Sequence, residues 1–383
     1  MLVCEPIKYY NRLMRRYNWQ QSDWPDFSYT LSGLEENLFE FAEKVGRLSG
    51  ILESLPENIR QETLIDLMLE EAVKTSEIEG EYLSRQDVMS SIRKNLGIYT
   101  SAPAIKDPKA EGMAELMIDV RNTFKEPLTI EKLFNWHRLL FGDTDKVRVG
   151  EWRVHEDPMQ VVSGAMGKEK VHFEAPPSAR VPMEMDRFID WFNETMPSGE
   201  KKLQDAPIRS AIAHLYFESI HPFEDGNGRI GRAIAEKALS QGIGRPALLS
   251  LSEAIESDKK AYYEALKVGQ RSNEVTPWIH YFVDVILQAQ EKAGQQVEFS
   301  LRKVKFFDKY EDQLSERQKK VINRMLEEGP DGFEGGMNAR KYMGITKVSK
   351  ATATRDIQQL VDMGVFVRYG KAGGRSIRYR VNL

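Results

Sequence analysis

From Leu31 to about residue 300, the apolar side chains of this 383-residue chain fall at helical spacing, with one stretch of β character between them. Leu34, Leu38, Phe41, Val45, Leu48, Ile51, Leu52 and Leu55 mark a first helix. Pro56 ends it, since proline lacks an amide donor and clashes with the preceding turn. Asn58 can cap a second helix on Ile59, Leu64, Leu67, Met68 and Ala72, which runs to about Gly80, a residue suited to a helix C-terminus. Further helices are predicted over about 84–96, 109–123, 129–141, 180–195, 208–220, 229–242, 258–269 and 275–300. The β stretch lies between Gly150 and Pro177. There Val154, Val161-Val162 and Val171-His-Phe173 are short runs separated by Ser-Gly and Met-Gly-Lys, which is hairpin chemistry. Residues 1–30, with Trp19, Trp24-Pro25, Phe27 and Tyr29, read as irregular. The fold class is mainly α.

The C-terminal part has a different pattern. Ser315-Glu-Arg-Gln318 is a capping box that opens a helix on Val321, Ile322 and Leu326. A short helix over 337–344 follows, then a third over Ser349–Met363 that Gly364 stops. Val365–Tyr369, a turn at Gly370-Lys-Ala-Gly-Gly374 and Ile377–Val381 complete a two-stranded hairpin. This order resembles a winged helix-turn-helix module.

Charge divides along the same line. Residues 301–383 hold 18 Lys and Arg against 10 Asp and Glu, a surplus of eight that leaves the rest at −12 for a net −4. Basic charge gathered at one end implies a polyanionic partner for that part alone. At 41% hydrophobic and 29% charged residues the composition is that of a soluble globular protein. The single cysteine, Cys4, excludes a disulfide within the chain and suits a reducing compartment. Met1–Tyr17 has no long apolar run, so neither a signal peptide nor a membrane span is expected, and the cytoplasm is the expected location.

Chemistry concentrates in His221-Pro-Phe-Glu-Asp-Gly-Asn-Gly-Arg-Ile-Gly-Arg232. Gly226, Gly228 and Gly231 let the backbone turn tightly and bring amides close to a ligand. The start of the following helix adds unpaired N–H groups, so the turn can hold a phosphate. Arg229 and Arg232 share a helix face and can clamp further phosphates. Asp225 is a hard oxygen ligand of the kind Mg²⁺ takes as one carboxylate beside phosphates and waters. His221 can act as a base near neutral pH. Phe223 is expected to point into the core. The other histidines (His137, His155, His172, His214, His280) lack metal-ligand spacing, and no structural zinc is expected.

These twelve residues resemble the signature of the Fic (Fic/DOC) family, H-x-F-x-D/E-G-N-G-R-x-x-R, at all eight specified positions. The resemblance covers roughly 60–300 and implies a helical bundle with a β-hairpin flap. It implies transfer of AMP from ATP to a Ser, Thr or Tyr hydroxyl of a target protein. By position, His221 would deprotonate the hydroxyl and Asp225 would hold Mg²⁺. Asn227 and the glycine amides would bind the α-phosphate, and Arg229 and Arg232 the β- and γ-phosphates. Gly228 is intact, whereas a family branch that phosphorylates replaces it. Val171, His172, Phe173 and Glu174 sit where the family's flap registers an extended target segment by β-augmentation. Tyr262, Tyr263 and Gln270 sit where members line the adenine and ribose pocket. Thr75-Ser-Glu-Ile-Glu79-Gly80 matches the family's inhibitory motif, S/T-x-x-x-E-G/N, in its N-terminal (class II) placement. It implies that Glu79 pairs with Arg232 and keeps it from the γ-phosphate.

The implied domains are 1–60, resembling an N-terminal region of some Fic proteins, 61–300 as the catalytic domain, and 301–383 as the winged helix. The catalytic domain would include the inhibitory helix (about 61–80) and the flap (about 150–177). The implied partners are a target protein at the flap, the chain itself as an autoadenylylation acceptor, and DNA or a protein at the winged helix. A homodimer stays open, and no membrane partner is expected. Two other functions remain. One is a DNA-binding regulator, in which Thr352, Thr354, Arg355 and Gln358 with the basic wing suit phosphate and base contacts and the helical body acts as sensor. The other is an enzyme that removes AMP or transfers another nucleotide moiety at the same site.

Overall fold

Side-chain caps fix many of the helix starts, and glycines or prolines fix many of the ends. The computed structural model describes residues 17–98, 105–163, 170–330, 332–369 and 377–383. Cys4, the flap turn with Met166-Gly-Lys168 and the turn at 370–374 lie outside the described residues. The protein is mainly helical. It divides into two compact units, one of residues up to 46 with 64–292 and one of 47–63 with 293–383.

The helices in chain order are α1 (Glu35–Ser54), α2 (Glu57–Ile78), α3 (Arg85–Asn95), α4 (Pro108–Asn122) and α5 (Ile130–Phe141). The flap strands β1 (Gln160–Ser163) and β2 (Lys170–Glu174) follow, then α6 (Val181–Glu194), α7 (Ala206–Ile220) and α8 (Asn227–Ile243). Next come α9 (Leu251–Ser257), α10 (Lys259–Gly269), α11 (Thr276–Tyr310), α12 (Glu316–Leu326), α13 (Ala339–Thr346) and α14 (Lys350–Asp362). Strands β3 (Phe366–Tyr369) and β4 (Arg378–Val381) close the chain.

In the larger unit α7 is buried along its whole length and packs beside α8. Trp136, Phe188, Phe192, Tyr216, Phe217, Phe223 and Ile230 form the core around this pair. Burying such a set is the main driving force for the fold, since each large apolar side chain contributes roughly 1.5–3 kcal/mol when removed from water. β1 and β2 pair antiparallel, with Gln160 opposite Glu174 and Val161 opposite Phe173, and a register shift follows Val161. Residues read as irregular are ordered against this flap. Trp19 donates Nε1–H to the Glu174 carbonyl at 2.7 Å, and the Tyr17 ring meets the Phe173 ring at 4.9 Å.

In the smaller unit Ser315 accepts from the Gln318 amide, as the capping box requires. Val321, Ile322, Met325, Tyr342, Leu360, Val365 and Phe366 form a separate core. β3 and β4 are antiparallel, and Met337 bridges to Tyr379 beside them.

Several element bounds differ from expectation for identifiable reasons. α2 begins at Glu57, because the Pro56 carbonyl already accepts the Arg60 amide at 2.8 Å, so Asn58 lies inside the helix rather than capping it. α11 runs to Tyr310 because no glycine or proline follows Gly294 to stop it. α9 was not expected, although Ser250 and Glu253 carry a capping-box spacing, and Ser250 does accept the Glu253 amide at 3.1 Å. Val154 lies outside both flap strands. No helix among the described residues is long and apolar enough to cross a membrane.

Candidate active site

α7 ends where its carboxy-terminal residue is forced into the left-handed region. His221 caps the helix with φ 51° and ψ 61°, and its amide still donates to the Phe217 carbonyl at 2.9 Å. A non-glycine residue holds this conformation only when its surroundings fix it. Arg153 does so. Its buried guanidinium donates to the carbonyls of His221 (2.8 Å), Pro176 (2.5 Å) and Ile220 (3.3 Å) and to the Ser178 hydroxyl (2.9 Å). Burial lowers the Arg153 pKa to about 10, which leaves it charged at neutral pH. One side chain therefore ties the His221 turn to the segment that follows the flap.

The rest of the turn is held from inside. Phe223 is fully buried and stacks on the His137 ring at 4.2 Å. His137 Nδ1 accepts the Gly150 amide at 3.0 Å, so its Nε2–H points at the Asp225 carbonyl, 3.2 Å away. Burial lowers the His137 pKa to about 4, so this ring is a neutral strut. Asn227 is buried. Its side-chain oxygen accepts the Phe223 amide and its side-chain nitrogen donates to the Phe223 carbonyl, both at 2.9 Å. The Asn227 side chain is thus committed to the turn, and its backbone amide is what it can offer a ligand.

α8 begins at Asn227, two residues before the expected start, because Gly226 at φ 80° takes the capping position. Gly226 has no side chain to cap the helix, so the first amides of α8 remain available to an anion. The Asp225 carboxylate accepts the Gly226 amide at 2.6 Å and is 60% exposed. A Cβ at Gly226 would fall 2.8 Å from the Phe141 ring, so only glycine fits there without displacing it.

His221, Asp225, Gly226, Asn227 and Gly228 open onto one cavity of about 600 Å³. His172 and Phe173 of the flap, Tyr262, Tyr263 and Gln270 of the α10 region, Glu79 and Glu218 also line it. Val171, Glu174, Thr75, Arg229, Gly231 and Arg232 stand outside that lining. Tyr262 is buried with its hydroxyl 2.8 Å from His214 Nε2, and Gln270 donates to the Glu218 carbonyl at 3.1 Å. The wall is therefore tied back to α7.

Both arginines are paired to the end of α2. Arg232 donates Nε–H to the Thr75 hydroxyl (2.8 Å) and Nη2–H to the Thr75 carbonyl and the Glu79 carboxylate (both 2.9 Å). Burial would lower the Arg232 pKa, but Glu79 outweighs it and the net shift is upward. Arg229 donates to Glu81 at 2.5 Å and lies over the Phe141 ring. Glu81 also takes the Lys109 ammonium at 2.6 Å. Lys259 donates to the Ile78 carbonyl at the C-terminus of α2.

Sequence reasoning missed Arg153, His137, Glu218 and Glu81. A signal existed for Glu218, an acid inside the apolar run Ile212–Ile220. None existed for His137, whose role depends on a contact 88 residues away.

A model of the Fic/DOC family matches residues 127–239, which contain α5, the flap, α7, the turn and most of α8. The chain carries a Fic/DOC domain. Residues 17–98 match a domain of unknown function (DUF4172), so the Fic domain and the α2 segment that meets it belong to separate family models. Among curated proteins, the protein adenylyltransferase Fic of Drosophila willistoni is 27% identical over 161 residues, 42% of this chain and 28% of that protein. Protein adenylyltransferase fic-1 of Caenorhabditis elegans is 28% identical over 158 residues, 41% of this chain and 27% of that protein. The match thus spans little more than a quarter of the length of these relatives. In fold, a Fic family protein from Desulfovibrio desulfuricans matches with TM-score 0.50 at 20% identity, over 90% of this chain and 96% of that one. A Fic domain containing signaling protein from Bacteroides thetaiotaomicron matches with TM-score 0.51 at 19% identity, over 68% and 97%.

Proposed function

We propose that the chain is a protein adenylyltransferase that moves AMP from ATP to a hydroxyl side chain of a protein, and that Glu79 holds it inactive. One observation carries the reading. A histidine, an exposed carboxylate and the uncapped amides of a helix start open onto a single nucleotide-sized cavity beside a β-hairpin. The names of the curated relatives agree with it.

The triphosphate would lie against the first amides of α8, where backbone N–H groups and the helix dipole favour negative charge. The adenosine would reach toward Tyr262, Tyr263 and Gln270. The target's hydroxyl oxygen attacks the α-phosphorus, His221 takes the hydroxyl proton, and the bond to the β-phosphate oxygen breaks to release pyrophosphate. The backbone amides stabilise the charge gathered on the α-phosphate. Asp225 fits a magnesium ion, since its exposed carboxylate lines the cavity and such ions complete their shell with phosphate and water. Such an ion would offset phosphate charge. β2 would present its edge to the target segment.

Inhibition follows from the position of Glu79. A Cβ added at Gly228 would fall 2.3 Å from its carboxylate, so this anion stands at the helix start the triphosphate needs. It also occupies Arg232. Incubation of the whole chain with ATP and Mg²⁺, followed by intact mass, tests the proposal. An added AMP on Glu79→Gly, reduced in the unaltered chain and lost in His221→Ala, is the expected pattern. A chain that releases AMP from a modified protein under these conditions, and never gains it, would favour AMP removal at the same site.

A further inference from the structure

We propose that Glu218 is a positioning residue for His221, holding the ring's Nδ1–H so that Nε2 faces the cavity without a proton. The inference deepens the reading of His221 as the base and rests on it.

Glu218 lies on the last turn of α7, three residues before His221, and its side chain is buried. One carboxylate oxygen is 3.6 Å from His221 Nδ1. Among the described residues, neither His221 Nδ1 nor the second Glu218 oxygen has a hydrogen-bond partner. Buried polar atoms without partners are rare. The second Glu218 oxygen lies on the side of Gly231 and His214 Nδ1, which also has no partner among the described residues. For His221 Nδ1 the nearby acceptor is the Glu218 oxygen at 3.6 Å. The gap is just beyond hydrogen-bond length, and contacts at such sites often tighten when substrate binds. Nδ1 is the buried nitrogen, so the edge of the ring that remains open to the cavity carries Nε2.

The surroundings keep Glu218 both in place and charged. A Cβ at Gly231 would fall 2.4 Å from the Glu218 carboxylate and 3.2 Å from His214 Nδ1. Glycine at 231 therefore makes room for this acid, which gives that motif glycine a task other than phosphate contact. The charged and titratable groups around the carboxylate are His214 on α7, His221 at its C-cap, Arg232 on α8, Glu79 just past the end of α2, and Tyr262 and Tyr263 on α10. Burial raises the Glu218 pKa, but His221, His214 and Arg232 outweigh it and hold the carboxyl below its usual range. Glu79, the other nearby anion, is turned to Arg232. Arg153 fixes the His221 backbone, so the carboxylate has the separate role of setting the ring's tautomer. A carboxylate on Nδ1–H orients an imidazole base and stabilises the cation formed when Nε2 takes a proton.

The test is ¹⁵N NMR of the whole chain labelled at histidine, with His221 assigned by its absence in His221→Gln. The neutral ring is expected to carry its proton on Nδ1. In Glu218→Met, similar in length but without an acceptor, the proton should move to Nε2. In the Glu79→Gly background that substitution should lower kcat for AMP transfer about 100-fold while KM for ATP stays within about twofold, the size expected for loss of general-base action. Glu218→Gln keeps an acceptor oxygen and should lose less than about tenfold, as removal of charge without removal of the hydrogen bond implies. A His221 protonated on Nε2 in the unaltered chain would overturn the proposal with no variant needed, as would an unchanged tautomer in Glu218→Met. AMP transfer that survives His221→Ala would instead overturn the base assignment, and the tautomer measurement does not depend on it.

Discussion

Glu79 and Arg232 are 153 residues apart in sequence, and their side chains meet at 2.9 Å against the first turn of α8. The same guanidinium is held by Thr75 through its hydroxyl and its carbonyl. Because Arg232 is almost fully buried, its interaction with Glu79 is little screened by solvent. Glu79→Gly is expected to raise the rate of AMP incorporation roughly 5- to 150-fold, the range of a coupling energy between two sites. Glu79→Gln, which keeps a hydrogen-bonding oxygen but no charge, should fall between the two. Equal rates in all three chains, measured with α-labelled ATP, would remove the inhibitory role.

The second pairing, Glu81 with Arg229, extends this contact by one turn of chain. Glu79 and Glu81 flank Gly80, whose φ of 80° turns the chain at the end of α2, so one segment delivers both carboxylates to the two motif arginines. Removing Glu79 alone leaves Arg229 engaged. Glu81→Gln is therefore expected to add a further increase of about two- to fivefold to Glu79→Gly, as loss of one partly exposed ion pair implies. Strict equality of the double and single variants would show that Glu81 does not restrain Arg229.

Arg153 is expected to be a stability residue as well as a site residue. Arg153→Met leaves three carbonyls and a hydroxyl without their donor. At about 1 kcal/mol for each missing hydrogen bond, the cost should be roughly 3–5 kcal/mol in urea unfolding. Arg153→Lys keeps the charge but not the fork, and should recover only part of it. A midpoint unchanged in Arg153→Met would contradict the role assigned here.

The share of stability that His137 contributes should be lost in acid, against an opposite contribution from Glu236, whose carboxyl pKa burial raises to about 8. Burial lowers His137 from 6.5 to about 4 and also lowers His214. Between those values the unfolded chain binds more protons at His137 than the native one does. The stability that His137 contributes is therefore fully present above about pH 6.5, falls as pH drops toward 4, and levels off below that. For His137 alone the effect is on the order of 3 kcal/mol. The part of the slope due to His137 should vanish in His137→Gln. The same pH slope of the urea midpoint in the unaltered chain and in His137→Gln would contradict the burial argument.

The fold and the site were legible to different depths. Helical periodicity located α2, α5, α7 and α10 because each buries one face or more, and the hairpin at 150–177 stood out against it. The turn at 221–232 was legible because its chemistry is contiguous in the chain. The struts behind it were not. Arg153, His137 and Glu218 act through contacts that only the tertiary fold creates, and each of these residue types occurs elsewhere on solvated surfaces. Asn227 shows the converse. Its place in the motif suggested a phosphate ligand, whereas both polar atoms of its side chain bond to Phe223.

The face of α14 supports a separate expectation, that the smaller unit binds duplex DNA. Ser349 caps this helix through the Thr352 amide, which places Lys350, Thr354, Arg355 and Gln358 along one exposed side. Those four residues, with Ala351, Gln359 and Asp362, line an open concavity. The helix is anchored from beneath, where buried Asp356 accepts from the Tyr342 hydroxyl at 3.0 Å and pairs with Arg317 at 3.2 Å. Exposed polar side chains on a rigidly seated helix are what groove binding requires. Arg368, Arg378 and Arg380 on β3 and β4 add positive charge in the same unit. Fluorescence anisotropy with a labelled duplex should show affinity that falls steeply with salt. Lys350→Glu with Arg355→Glu should weaken it, and reduce the dependence on log salt by about one for each phosphate no longer neutralised. Arg232→Ala, in the other unit, should leave DNA affinity unchanged. A chain that shows no binding near 50 mM salt, roughly where nonspecific phosphate binding is strong, would leave this face to a protein partner.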